Sequence, residues 1–275
     1  MKLIVCSKRD VASQNIKDNL LNLIQADKET INGIDFYISD GIAIADIDER
    51  LIYADYIDER LSKYLSFDEI LFASRHSSKD GRKIITSHVT GNVGRADYGG
   101  RVYSLAKPSP ITMKNFAISV TRKLKDTEYE FTLEATHHGP SEIKTPSAFY
   151  EIGSTENEWK DEEIAFIVAE SMLEAIQTKE NWIVALGVGG THYAPRQTEI
   201  ELKTIYAFGH IFPKYTFNDL TKEFLKKAYE ISEAELIIID EKSVNSSVKN
   251  LLNEVANELN TRVIKSKEAK EEVVV

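Results

Sequence analysis

Short apolar runs alternate with longer amphipathic stretches along almost the whole chain, and nothing else in the sequence constrains the fold as strongly. "KLIVCS", "FYISD", "IAIADI", "EILFAS", "IITSHVT", "YEFTLEATHH", "SAFYEIGS", "WIVALGVGG" and "ELIIID" have the length and composition of strands. Between them, Asp10 caps a helix with Val11, Ile16, Leu20 and Leu23 at helical spacing, and "YIDERLSKYL" reads as a short helix. Ser109 or Pro110 opens a helix through "SPITMKNFAISVTRKLK", and "DEEIAFIVAESMLEAIQ" carries acidic residues in its first turn, where the helix dipole favours them. "LTKEFLKKAYEI" and a Ser-capped "SVKNLLNEVANELN" complete the helices. The alternation predicts an α/β fold with a mixed, largely parallel sheet and helices on both faces. The 275 residues suffice for one such domain over 1–275, its last ten, "SKEAKEEVVV", frayed or loosely docked.

Composition narrows the setting. No stretch approaches the roughly 20 apolar residues needed to cross a bilayer, and "MKLIVCSKRD" reads as a first strand rather than a signal peptide. The single cysteine, Cys6, allows no internal disulfide and suits a reducing cytoplasm, the expected location. Lying in an apolar strand, it reads as a buried thiol, so a metal site would have to use His, Asp and Glu. With 44 acidic and 34 basic residues the net charge is −10, which argues against a general nucleic-acid coat protein but leaves room for a local basic patch. No coiled-coil heptad is present, and a monomer is expected.

The six histidines do not scatter. None falls in the first 75 residues or the last 65, and each has Gly, Ser, Thr or Pro nearby. His76 follows "EILFAS", His88 lies near the end of "IITSHVT", His137 and His138 follow "FTLEAT", His192 follows "WIVALGVGG", and His210 stands in "FGHIFP". Ligand sites of α/β sheets form at the carboxyl ends of strands, so one sheet edge is expected to collect imidazoles from distant segments. Adjacent side chains on an extended chain point to opposite sides. His137 and His138 converge on one metal only if the backbone turns there, as Gly139-Pro140 would allow. Otherwise one ligates and the other orients, or each serves a different metal. Glu134 could be a ligand, a partner to a ligand, or a general base. The glycine loop Gly189–Gly190–Thr191 reads equally as an anion cradle or as a tight turn needing positive φ. "TGNVGRADYGGR" reads as an exposed loop.

Four motifs in order, "SRHSSKDGRKIITSHVTGN", "EATHHGP", "GGTHYAPRQTE" and "GHIFPKY", together with the opening "MKLIVCSKRDVASQNI", resemble the archaeal and plant-type D-aminoacyl-tRNA deacylases. The resemblance implies a zinc-dependent ester hydrolase that frees D-amino acids from mischarged tRNA with broad tolerance of the side chain. It also implies a phosphorylase/peptidyl-tRNA hydrolase-like fold. On that footing, zinc is expected on His137, His138 and His192 or a similar subset, with His76 and His210 as further candidates. Glu134 or His88 would be the general base, and backbone amides of Gly189, Gly190 and Thr191 would stabilise the oxyanion. Arg75, Arg95, Arg101, Lys107 and Arg196 would meet the tRNA acceptor end; no DNA and no membrane enters the expected partners. The alternatives are a metal-dependent peptidase or amidohydrolase, and a non-catalytic nucleotide or phosphate binder.

Overall fold

Helix caps and buried apolar strands lay out the chain in the order the periodicity predicts. Strand β1 (Lys2–Ser7) runs into α1 (Val11–Leu23), whose N-cap Asp10 accepts from the Ser13 amide at 3.1 Å. The hairpin β2 (Asp27–Ile31) and β3 (Ile34–Ile38) leads to β4 (Ile42–Ile47), a 3-10 turn at Leu51–Tyr53, and α2 (Ile57–Leu61). Next come β5 (Glu69–Arg75), β6 (Ile84–His88), the small ribbon β7 (Gly91–Asn92) and β8 (Ser104–Leu105), and α3 (Pro110–Lys123). Then follow β9 (Glu130–Leu133), β10 (Ser147–Gly153), α4 (Glu156–Trp159), α5 (Glu162–Gln177), β11 (Ile183–Val188) and α6 (Pro195–Lys203). The rest is β12 (Tyr206–Phe212), a 3-10 segment at Lys214–Asp219, α7 (Lys222–Ile231), β13 (Leu236–Ile239), α8 (Ser246–Glu258), β14 (Val263–Lys265) and α9 (Ser266–Ala269). This is a computed structural model that describes residues 1–273.

Two sheets result. The larger has the order β2-β3-β4-β1-β5-β10-β6-β9 and the smaller β12-β11-β13-β14. Every pairing in the smaller sheet is parallel, as are β4-β1, β1-β5, β5-β10 and β6-β9 in the larger. The fold is therefore α/β with mixed, largely parallel sheets, as expected. Alternate residues of β5 and β10 face opposite layers. Leu71, Ala73, Ala148, Tyr150 and Ile152 pack with α1, α3 and α5, in a core continuous with Ala185, Phe208 and Leu236 of the smaller sheet. Phe72 and Phe149 face the other way, towards Leu51, Ile57 and Leu61. On the far side of the smaller sheet, Phe224 and Leu225 of α7 and Leu252 of α8 cover Leu186 and Ile237.

Several expectations need correction. β6 runs antiparallel to β10, with His88 opposite Phe149, so His76 and His88 do not share an edge of strand carboxyl ends. Both face Glu151 of β10 instead. The strand expected through "YEFTLEATHH" stops at Leu133: the Glu134 amide still reaches Ser87 of β6, but those of Ala135 and Thr136 leave the larger sheet for other partners. "YAFGHIF" is an edge strand that the alternation did not single out. Helix α8 is capped by Asn245, which accepts from the Val248 amide at 2.9 Å, not by serine. Nor is the tail frayed: Ala269 is fully buried, Ser266 donates to Glu241 at 2.6 Å, and the Ile205 amide donates to Glu272 at 3.1 Å. Val274 and Val275 lie outside the described residues.

Candidate active site

Three successive residues after β9 tie the two sheets together. The Glu134 amide donates to Ser87 of β6 (3.0 Å), the Ala135 amide to His192 (2.7 Å) and the Thr136 amide to Ile211 of β12 (2.9 Å). This crossing aims the Glu134 side chain into the seam, where it is 1% exposed. Its Oε2 lies 2.7 Å from His192 Nε2 and 3.5 Å from His137 Nε2, and its Oε1 lies 3.1 Å from His76 Nδ1. Glu151, on the same face of β10 as Phe149, sits behind this group. Its Oε2 is 3.7 Å from His76 Nδ1, 3.6 Å from His88 Nε2, and accepts from Thr86 at 3.4 Å.

His88, His137 and His138 stack into one cluster, with His88 4.2 Å and 4.8 Å from the other two rings and those two 4.3 Å apart. The adjacent pair converges because His138 takes φ = +43°, a left-handed turn that swings its ring round to its neighbour's side. Each Nδ1 faces a backbone carbonyl: Val89 for His88 (3.1 Å), Ala135 for His137 (2.7 Å) and Gly139 for His138 (2.6 Å). A ring that donates from Nδ1 to such a carbonyl keeps its lone pair on Nε2; the Nε2 atoms of His137 and His88 lie 3.5 and 3.6 Å from Glu134 and Glu151. Ligand atoms lie within 4.8 Å of one another in three overlapping sets: His88/His137/His138, Glu134/His137/His192 and His76/Glu134/Glu151.

Charge sorts these groups. Burial, then the nearby His88 and His138, holds His137 well below the usual imidazole range; burial, then His88, pushes His138 down to about 4. Burial pushes His76 and His88 the same way, but their carboxylate partners outweigh it and raise both. For Glu134 and Glu151 burial favours the neutral acid, yet the surrounding imidazoles hold both well below the usual carboxylate range. Two carboxylates therefore stay ionised beside two imidazoles that stay neutral.

The cluster forms the floor of a cavity of about 470 Å³, whose walls include Arg50, Ile52, Arg75, Ser77 and Tyr98. Residues 63–264 match the family model of D-aminoacyl-tRNA deacylase. The chain belongs to the D-aminoacyl-tRNA deacylase family. It is 62% identical over 274 residues to a D-aminoacyl-tRNA deacylase of Archaeoglobus fulgidus, with 99% of each chain covered. Against the D-aminoacyl-tRNA deacylase of Pyrococcus furiosus it is 40% identical over 271 residues, covering 96% of this chain and 100% of that one. The crystal structure of a conserved protein of unknown function superposes with a TM-score of 0.98 at 61% identity, over 100% of this chain and 98% of that chain.

Within this deacylase-family site, the residues singled out in the sequence fare unequally. His76, His88, Glu134, His137, His138 and His192 converge, and Arg75 lines the cavity. His210 does not join them: it is fully buried, with Nδ1 3.1 Å from Thr136 Oγ1 and Nε2 2.9 Å from the Ala106 carbonyl, so both nitrogens are engaged in holding the fold. Gly189 and Gly190 form a turn at φ +106° and +84°. Their amides already donate, to the Phe212 carbonyl (2.8 Å) and Ser243 Oγ (2.7 Å), and so offer nothing to an oxyanion. Thr191 stands exposed beside them. Lys107 pairs with Glu233 at 2.6 Å and lines a different cavity; Arg196 lies 3.6 Å from Glu199 on α6. Arg95 and Arg101 are exposed on the β7–β8 loop, with Arg95 3.7 Å from Asp97. Glu151 was missed, although a charged residue inside the otherwise apolar "SAFYEIG" is the kind of residue that is buried only with a partner. Arg50, Tyr98 and Tyr193 carried no local signal. Tyr193 holds His76 Nε2 at 3.0 Å and donates to Asp80 at 3.2 Å.

Proposed function

We propose that this chain hydrolyses the ester joining a D-amino acid to the 3′ end of tRNA, as a monomer with broad tolerance of the side chain. Membership of the deacylase family supports the substrate class, and one observation carries the chemistry. Glu134 is a fully buried, ionised carboxylate, yet it faces His192 and His137 in the wall of an open cavity. Such a carboxylate can take a proton from an attacking water. His192 is hydrogen-bonded to one of its oxygens and His76 Nδ1 lies 3.1 Å from the other, so Glu134 is the base and His192 a positioning residue. As water adds to the ester carbonyl, the bond to the ribose oxygen breaks, and the proton on Glu134 passes to that oxygen as it leaves. The products are a free amino acid and an intact tRNA end.

The side chains also fit zinc. His88 Nε2 is buried without a hydrogen-bond partner, and His137 and His138, held neutral with Nδ1 facing a carbonyl, are in the ligating form. His88, His137 and His138 would hold it, which reassigns His88 from base to ligand. When bound, zinc supplies Lewis acidity at the ester. Arg50 and Arg75, in the cavity wall, suit the phosphates next to the ester.

The test is a deacylation assay on D- and L-tyrosyl-tRNA, with the protein as purified and after dialysis against a chelator. We expect turnover of the D ester alone, loss on chelation, and recovery with zinc. Equal hydrolysis of both enantiomers would remove the proofreading role, and undiminished activity of the metal-free protein would remove zinc. Turnover of amino-acid amides without tRNA would point to the peptidase reading instead.

A further inference from the structure

We propose that exposed tyrosines at the mouth of the cavity form a stacking platform for the unpaired bases at the 3′ end of the tRNA, a reading that rests on the substrate proposed above. Tyr53, Tyr98 and Tyr215 are 50%, 68% and 59% exposed, far more than aromatic rings that serve a core. They come from three distant segments: the 3-10 turn after β4, the β7–β8 loop and the 3-10 segment after β12. All three reach the same opening. Tyr98 lines the cavity, and Tyr215 OH is 3.2 Å from His192 Nδ1. The Tyr53 ring lies against the Tyr98–Gly99 link, since a Cβ on Gly99 would stand 3.1 Å from Tyr53 Cδ1. Among the described residues none of the three rings stacks on another aromatic ring. The Arg50 guanidinium covers one face of Tyr53, 5.5 Å from its ring centroid, while among the described residues no cation covers Tyr98 or Tyr215.

Charge favours RNA as the occupant. The chain carries −10 overall, and most of its cations near the surface lie within 4 Å of a carboxylate. Arg50 of the cavity wall and Arg101 of the β7–β8 loop have no such partner among the described residues. Rings that offer faces, flanked by unneutralised guanidinium groups, match a single strand that presents bases and phosphates in turn. Every base has a π face, so this platform reads no sequence. An ester can reach the cavity floor only if the nucleotides behind it cross this mouth.

Steady-state hydrolysis of D-tyrosyl-tRNA by Tyr53→Ala, Tyr98→Ala and the double variant tests the proposal, with Tyr98→Phe as the conservative control. Tyr215 is left intact because its hydroxyl touches His192. Losing a stacked base raises KM roughly five- to a hundredfold. We expect such a rise for each Ala variant, with kcat within twofold and with Tyr98→Phe like the unaltered protein. A KM unmoved in the double variant, or damage by Tyr98→Phe equal to Tyr98→Ala, overturns the platform. A change of oligomeric state with tRNA KM unchanged would assign the rings to protein contacts and overturn it too. If the unaltered protein hydrolyses no D-aminoacyl-tRNA, the proposed function fails separately. The platform is then judged by fluorescence anisotropy on an RNA hairpin with an unpaired 3′ tail. The variants should weaken binding of that hairpin and leave unchanged the binding of the same hairpin without its tail; equal effects on both would refute it.

Discussion

A carboxylate as deeply buried as Glu134 stays ionised only where donors and cations surround it, and here three imidazoles do so. Replacing it by glutamine keeps the shape and removes the proton acceptor. We expect Glu134→Gln to lower kcat by about 10²- to 10⁴-fold, with KM little changed, in the D-aminoacyl-tRNA assay. Lys114 is the contrasting buried charge. It is fully enclosed, and its ammonium donates to three backbone carbonyls at the end of α6 and the start of β12: Glu201, Thr204 (2.7 Å) and Tyr206 (2.8 Å). Nothing in it faces the cavity. Lys114→Met leaves those carbonyls unpaired and the Glu201 carboxylate buried without its cation, which costs about 3–5 kcal/mol. Thermal unfolding should show a large drop in Tm, while kcat per folded molecule stays the same. In the bare sequence these two residues look alike, as charges near apolar runs. Only the segments that fold around them separate a charge that faces the cavity from one that is enclosed in the fold.

Helices α3 and α5 lie side by side on the larger sheet, and Glu174 fastens them. Its carboxylate accepts from Lys123 (2.7 Å), Ser119 (2.8 Å) and Arg122 (2.6 Å). Lys123 first, with Ser119 and Arg122 outweighing partial burial, holds its pKa down to about 2. A carboxyl whose pKa falls on folding stabilises above its unfolded pKa of about 4.5, and that stabilisation is lost as the pH falls towards 2. The side chain is 37% exposed, so screening leaves about 0.5–1 kcal/mol. Glu174→Gln should therefore lower Tm by about 1–2 °C at pH 7, and the difference should close between pH 4.5 and 2 in calorimetric scans. At this scale much was legible in the sequence. The strands and helices of the alternation appear where the apolar period put them, because burial on one or two faces imposes that period. The direction of β6 was not legible, since an apolar run has the same composition whichever way it pairs. Strand β12 was hidden because its histidine and glycine interrupt the apolar run. Five of the six histidines converge on one cluster as their strand-end positions suggested, but His210 shares their local context and differs only in where its ring points.

Seen as a whole, the molecule needs both sheets to make one cavity. Glu151, His88 and His76 belong to the larger sheet, His192 follows β11 of the smaller, and residues 134–136 are hydrogen-bonded to both. A chain ending at residue 182 keeps the first ten strands but lacks His192, the carbonyl that holds the Ala135 amide, and the Ile211 carbonyl that holds Thr136. Such a fragment should show no D-aminoacyl-tRNA hydrolysis at any concentration, measured beside the full chain; restored turnover when residues 183–275 are added in trans would show that the seam can assemble from pieces. The three amides after β9 have a further consequence, in time rather than space. During synthesis no hydrolytic centre can exist until residue 211 has emerged and paired with Thr136. The growing polypeptide can therefore complete this cluster only after its later strands have been released.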